Sequence, residues 1–400
     1  MKDPVKNLGV LAMAPLLTIV MFINLQSLSA QTFQHPGVLV SQAQLSFIKA
    51  QVNNGVEPFH SAFLKAQNSS HGSLTYKPKG PPAGGIITCG AFSNPDIGCG
   101  ADDDDSTAAY LQAVLWTITG NHTYAANAIN LLNTYGHRLK GFSDHNAPLQ
   151  AAWSASKWTR AAEIIRYSNA GWAQADIAAY GNMLKTVYVP QITNGSGGNG
   201  NWELAMIEAM MGIAVFNNDR TLFNHAVNFW HQRVPAYFYY FPRDGSHPVP
   251  PPRGPLDWHG QTVFNASVNG IGQETCRDFG HMLGGMASTL DAAETAHIQG
   301  VDLYGPEEAR LAASMEFHAK FLLGAPVPST VCGGHLNLNQ KPTLEIGYNE
   351  YHNRLGVSLP HSLTQILQNV RSNADPTDRH ITVYETLTDG GDAGTGKITK

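Results

Sequence analysis

The chain has 400 residues, 43% of them hydrophobic and only 14% charged, with a formal net charge of -5. That is enough apolar material for one large domain or two modest ones with a sizeable core, and it argues against a disordered chain. Lys and Arg are dispersed, without the basic stripe that tracks a phosphate backbone, so nucleic acid is not an expected partner.

At the N-terminus Lys2 and Lys6 precede an apolar run from Leu8 to Leu25, and Ser27-Leu28-Ser29-Ala30 follows it before Gln31. This is the layout of a cleaved secretory signal, so residues 1–30 are expected to be removed and 31–400 to form one secreted, extracellular domain. A membrane anchor is the competing reading, because the run approaches spanning length; the small residues after it, where basic ones would stop transfer, favour cleavage. Four glycosylation sequons, at Asn68, Asn121, Asn194 and Asn265, fit a eukaryotic secretory route. So do the four cysteines: Cys89 and Cys99 bracket a short loop that a disulfide would staple, leaving Cys276 with Cys332. Zinc is the rival use of cysteine, but no C-x-x-C or H-E-x-x-H spacing occurs, and no cofactor is expected.

Beyond the signal, Leu45, Ile48 and Val52 have helical spacing. Apolar or Ala-rich positions at three- and four-residue steps then predict helices over Ala108–Ile118, Tyr124–Leu132, Leu149–Tyr167, Trp172–Val187, Trp202–Phe216 and Leu222–Val234. Several end at breaks such as Thr119-Gly120-Asn121 and Phe216-Asn217-Asn218-Asp219, the pattern of helical hairpins in series. The run Asp102 to Asp105 is expected to cap a helix beginning near Ser106; a cation site is the alternative, although the run lacks the alternation and terminal Glu of a calcium loop. Phe241 to Val268, with Pro248, Pro250, Pro251, Pro252 and Pro255, reads as a rigid extended loop. Two further helices are expected over Arg277–His297 and Pro306–Leu323, then an Asn-rich loop over Leu336–Tyr351, and a peripheral tail after about residue 370. Paired helices that must each cover an apolar face close into an α/α toroid or stay open as a solenoid. The expected fold is therefore all-α, an incomplete α/α barrel with long loops over a cleft, acting as a monomer.

Three polar stretches could carry chemistry. In Asn199-Gly200-Asn201-Trp202-Glu203 a Gly-rich loop delivers the Asn201 amide to a helix start, where it caps the helix, faces a ligand, or both. In Gln273-Glu274-Thr275-Cys276-Arg277-Asp278-Phe279-Gly280-His281, helical spacing would put Glu274, Arg277, Asp278 and His281 on one face, with Gly284 and Gly285 leaving room for something bulky. A buried ion network between helices is the structural alternative, but desolvation offsets most of its Coulomb gain. In Glu345 to Arg354 two tyrosines, Tyr348 and Tyr351, stand among Glu345, His352, Asn353 and Arg354, as in the wall of a polar groove. There is no G-x-S-x-G elbow, Walker loop or dinucleotide loop. Asn, Arg, His and Tyr suit β-elimination on a uronic-acid polysaccharide: donors quiet the carboxylate, a base removes the C5 proton, and an acid serves the leaving oxygen.

Q-E-T-C-R-D-F-G-H, A-A-E-T-A-H-I-Q-G-V-D-L-Y-G at Ala292–Gly305, H-P-G at His35–Gly37, T-G-N-H-T-Y-A at Thr119–Ala125, N-G-N-W and E-I-G-Y-N-E-Y-H-N-R occur in this order. Together, from about His35 to Leu363, they resemble the alginate-lyase-domain proteins, most of all polysaccharide lyase family 38. The resemblance implies an α/α toroid and metal-independent elimination on β-1,4-linked uronans such as glucuronan or polymannuronate. By analogy with the wider group, including family 5, Asn201 is similar to the charge neutraliser, and Arg277 and His281 to the helix residues. The chain departs from family 5 where Trp202, not His, follows Asn201, and where Gly280 stands in place of Tyr beside His281. The phenol is then expected from Tyr351 or Tyr348, with Tyr237 and Tyr239 in reserve. Gln273, Glu274, Asp278, Trp153, Lys157, Trp202, Glu345, His352, Asn353 and Arg354 are the expected supporting and substrate-binding residues. Two rival readings are a toroidal hydrolase, with Glu274 or Asp278 as acid and Glu345 as base, and a non-catalytic glycan binder stacking sugars on Trp153, Trp202 and Trp258.

Overall fold

Gly200–Asn217 is apolar on nearly every side, as a helix must be when neighbours surround it completely. The computed structural model describes Met1 and residues 32–197, 200–254, 257–373, 376–378 and 380–400. The expected signal segment, Met1 apart, lies outside the described residues. In chain order the main helices are α1 (Gln42–Asn53), α2 (Phe59–Asn68), α3 (Cys99–Thr119), α4 (His122–Arg138), α5 (Ala147–Arg166), α6 (Gln174–Met183), α7 (Gly200–Asn217), α8 (Arg220–Tyr237), α9 (Phe279–Ile298) and α10 (Tyr304–Leu322).

An inner row forms where α3 packs on α5, α5 on α7 and α7 on α9. Outer helices cover it: α4 lies on α3, α6 on α4 and α8 on α7. Short pieces complete the ring, with Glu345–Tyr348 against α9, Glu385–Asp389 against that piece and against α1, and α1 back on α3. The result is the expected α/α toroid of helical hairpins. The predicted breaks close the hairpins: Gly120 takes a left-handed conformation (φ 68°) and the Asn121 side chain accepts the Thr123 N–H, while Asp219 caps α8 through the Leu222 N–H. Both expected disulfides, Cys89–Cys99 and Cys276–Cys332, are present.

Three expectations are corrected. A small sheet accompanies the helices, in which Ile86–Cys89 pairs antiparallel with Asp96–Ile97 and parallel with Gly141–Ser143. Helix α3 begins at Cys99, seven residues before Ser106, so Asp102 to Asp105 lie inside it. Four successive helical side chains radiate about 100° apart, and each finds its own partners: Trp158 and Gln150 for Asp102, Lys157 and His380 for Asp103, Lys79 for Asp104, and Tyr76 and Tyr135 for Asp105. The aspartates bind helices together. Finally, the chain after residue 370 is not peripheral. Leu387 and Val383 join the core, and Arg371 forms a two-point ion pair with the buried Glu345.

Candidate active site

The N-terminal turns of the inner helices supply one cavity of about 430 Å³. Trp153 comes from α5, Asn201 from α7, and His281 and Gly284 from α9, with Asp278 immediately before it; the loop residues Asn339, Gln340, Lys341, Asp378, His380 and Ile381 complete the lining.

Around Glu274 the expected helix gives way to a turn. Asp278 is the N-cap of α9, with extended backbone (φ -172°, ψ 157°), so Glu274 and Arg277 precede the helix and do not share a helical face with His281. The fully buried Glu274 carboxylate is a hub instead. It accepts the Asn201 backbone N–H and side-chain amide, both at 3.1 Å, the Tyr237 hydroxyl at 3.0 Å and Arg277 Nη1 at 2.9 Å. Asn201 thus does not cap α7; it sits in the first turn, held by two bonds to one carboxylate. Gly200 makes this approach possible, because a Cβ there would lie 2.2 Å from both Arg233 Nη2 and Tyr237 Cδ2. Arg277 is 27% exposed at its side chain and shares Glu274 with Asn201, but it is not part of the cavity wall.

Asp278 does two things. Its Oδ1 accepts the His281 backbone N–H at 2.9 Å, and its Oδ2 accepts His281 Nδ1 at 2.6 Å. Burial pushes the Asp278 carboxyl up, but the His281 backbone N–H and imidazole outweigh burial and hold it below its ordinary value. A carboxylate can only accept, so Nδ1 carries the proton and Nε2 of the neutral ring is left as the basic atom. The His281 side chain is 41% exposed and borders the cavity.

The room expected at Gly284 and Gly285 is divided. Gly284 borders the cavity, whereas a Cβ on Gly285 would meet the Tyr237 hydroxyl at 2.6 Å. That hydroxyl also reaches the His281 carbonyl at 3.3 Å. Burial, then the Glu274 charge, pushes the Tyr237 phenol well above its ordinary value, so it donates to Glu274 and holds the turn against α9.

The other expected residues are distributed differently. Glu345, Tyr348, Tyr351, His352, Asn353 and Arg354 do not line this cavity. Their segment is a short helix, Glu345–Tyr348, that widens into a π turn over Asn349–Arg354 and closes the ring. Arg354 is held by Glu294, Glu350 and Asp392, Asn353 donates to Asn349, and His352 Nδ1 bonds the Val357 carbonyl. Tyr351 is fully buried against Tyr304, and burial, then the Glu350 charge, pushes its phenol well above the ordinary value. Tyr348 is buried against His352, and Tyr239 donates to the Gly245 carbonyl. Lys157 is buried on Asp103, and Gln273 accepts from the buried Arg233, so both support the site from behind. Trp202 stands beside His145, ring centroids 5.9 Å apart, outside the wall, while Trp258 is buried against Phe264.

Sequence reasoning named no site residue in the two loops that complete the lining. Lys341 Nζ pairs with Asp378 at 3.0 Å, and Asp378 Oδ1 accepts the backbone N–H groups of His380, Ile381 and Thr382. His380 stacks on Trp153 with centroids 4.2 Å apart and places Nδ1 3.0 Å from Asp103 Oδ2. The Asn-rich character of 336–343 signalled the first of them. Nothing local marked Asp378, His380 and Ile381, which reach the cavity only because the chain returns across the ring.

No family model matches the sequence, and no curated protein matches it. Solved structures do. Alginate lyase A1-III from Sphingomonas species A1 superposes with a TM-score of 0.62 at 15% identity, over 89% of this chain and 97% of that one. Its histidine-to-alanine variant complexed with tetrasaccharide gives 0.62 at 15% identity, over 89% and 96%. An alginate lyase from Bacteroides ovatus gives 0.54 at 14% identity, over 88% and 99%. At this identity the likeness establishes the fold, the α/α toroid of the alginate lyases.

Proposed function

We propose that the protein is a secreted polysaccharide lyase that cleaves β-1,4-linked uronans, glucuronan or polymannuronate, by β-elimination. The observation that carries this reading is the joint anchoring of Asn201 and Arg277 on Glu274, beside a cavity in which Asp278 orients His281. The Asn201 amide lines the cavity and is a preorganised donor for the carboxylate of a sugar, with the Arg277 guanidinium adding positive charge from the same Glu274 anchor, and neutralising the sugar carboxylate acidifies the proton on C5. His281 Nε2 then removes that proton, the electrons form the C4–C5 double bond, and the C4–O4 bond breaks. Protein donors supply the charge neutralisation, so no resident metal is required by this route.

The fold shared with alginate lyases, one crystallised with a tetrasaccharide, supports an acidic polysaccharide as substrate. Two disulfides and four exposed sequon asparagines support the secretory route. The hydrolase reading fares worse, because Glu274 is buried and fully engaged, Asp278 is held ionised by His281, and Glu345 is outside the cavity. The glycan-binder reading loses Trp258 to the core and keeps Trp153.

The test is digestion of a panel of uronans by chelator-treated protein, followed by ultraviolet absorbance. Unsaturated ends on at least one uronan are expected; saturated fragments alone would point to hydrolysis, and binding without turnover to a lectin-like role.

A further inference from the structure

Two imidazoles face the same cavity, each held at Nδ1 by a carboxylate. His281 rests on Asp278 at 2.6 Å and His380 on Asp103 at 3.0 Å, and their side chains are 41% and 42% exposed. In both rings the hydrogen bond to the carboxylate is made through Nδ1, and Nε2 has no partner among the described residues. No tyrosine borders this cavity among the described residues; Tyr237 is locked behind Glu274 and Gly285. The departing O4 takes up a proton, and the geometry offers an imidazole as donor where a phenol was expected.

We infer that His380 is the general acid of the reaction, with His281 as base. This rests on the proposed lyase activity and deepens it. The division of roles follows from position. His281 follows the turn whose Glu274 anchors both Asn201 and Arg277, which sets it beside the carboxylate-bearing carbon whose proton must leave. His380 is stacked on Trp153, an aromatic surface suited to the adjoining sugar that departs with O4. In the step, the C5–H bond breaks and its proton passes to His281 Nε2. The C–H electrons become the C4–C5 double bond, the C4–O4 pair leaves on oxygen, and O4 takes the proton from His380 Nε2. Exchange with water through the half-exposed rings resets both.

Two carboxylates hold His380, and each also pairs with a lysine. Asp103 comes from α3 and carries Lys157 of α5 on its other oxygen; Asp378 accepts the His380 backbone N–H and carries Lys341. Burial pushes the Asp103 carboxyl up, but Lys157 and His380 outweigh burial and keep it below its ordinary value, so it stays an acceptor. Without Asp103 the ring would lose its orientation as well as its charge partner.

The test compares two substrates in wild-type, His380→Ala and His281→Ala proteins, each checked for native circular dichroism. One is the polymer, whose O4 leaves as a sugar alkoxide; the other is a uronate carrying an aryl oxide at C4, which departs without protonation. His380→Ala is expected to lower kcat on the polymer by about 10²–10⁴-fold and on the aryl substrate by less than tenfold. His281→Ala is expected to lose both. His380→Gln, which keeps a polar side chain, should behave like His380→Ala. Equal losses on both substrates in the His380 variants, or wild-type turnover of the polymer, would overturn the assignment while leaving the lyase reading intact. A wild-type protein that forms no unsaturated product would overturn both.

Discussion

Asp278 holds His281 twice, accepting its backbone N–H with one carboxylate oxygen and its imidazole Nδ1 with the other. Starting a helix and orienting a base are thereby fused in one side chain. The fusion can be taken apart chemically. Asn caps a helix about as well as Asp but offers a single acceptor oxygen without charge. Asp278→Asn should shift the melting temperature by no more than about 2 °C while lowering kcat about 10²-fold or more. Calorimetry and product absorbance on the same preparation check both halves.

Glu274 is the shared anchor of Asn201, Arg277 and Tyr237. Glu274→Gln preserves volume but turns one acceptor oxygen into a donor, which faces donors already in place. The Asn201 amide and Arg277 guanidinium then move apart, and kcat/KM on uronans should fall about 10²-fold. Retained activity would show that the pair needs no common carboxylate.

Tyr351→Phe and Tyr348→Phe should leave turnover within about twofold. The Tyr351 hydroxyl is buried without a hydrogen-bond partner among the described residues, so its removal is neutral or mildly stabilising. Loss of turnover in either variant would return the proton-transfer role to this segment.

Stability should depend on pH in a direction that one variant isolates. Burial is the main cause that raises Asp102 to about 7, even though it accepts bonds from Trp158 and Gln150. A raised folded-state value means that the folded protein retains a proton the unfolded chain gives up. Its contribution is full below the ordinary carboxylate value of 3.8 and is lost as pH rises towards about 7. Asp291, also raised to about 7 by burial, acts in the same sense. The opposite sign belongs to His318, lowered to about 4 by burial, whose contribution is lost as pH falls. Asp102→Asn should remove one component, making the melting temperature less dependent on pH between 4 and 7 than in the wild-type protein. An unchanged pH slope would assign the proton elsewhere.

The Cys276–Cys332 bond spans 56 residues and fixes the turn that carries Arg277 to the loop entering the cavity wall. Replacing both cysteines by serine should cost at most about 4 kcal/mol in the chain-entropy picture. It should also lower kcat/KM more than replacement of Cys89 and Cys99, measured by denaturant melts and initial rates.

Much of the candidate site was readable in the local sequence because its residues sit at helix starts. Asn201 follows a Gly-rich loop, and Asp278 and His281 have the i, i+3 spacing of a cap and the residue it binds. The same polarity misled at Glu345 to Arg354. There the charges answer Glu294, Asp392 and Arg371, residues far away in the chain, and they close the ring instead of lining a groove. Other motifs behind the family resemblance also serve the fold: His35 and Gly37 of H-P-G both bond Glu163, and Glu294 and Tyr304 bond each other.

The sequence by itself determined the helical hairpins, their breaks, both disulfides and the side of the site that α7 and α9 supply, because hydrophobic periodicity and capping act over a few residues. Only the tertiary structure decided that Glu274 precedes its helix, that Tyr237 is locked behind it, and that His380 and Lys341 line the cavity. Those relations join segments as much as 277 residues apart, as in the bond between His380 and Asp103. They arise when the ring closes and brings the C-terminal chain over the starts of the inner helices.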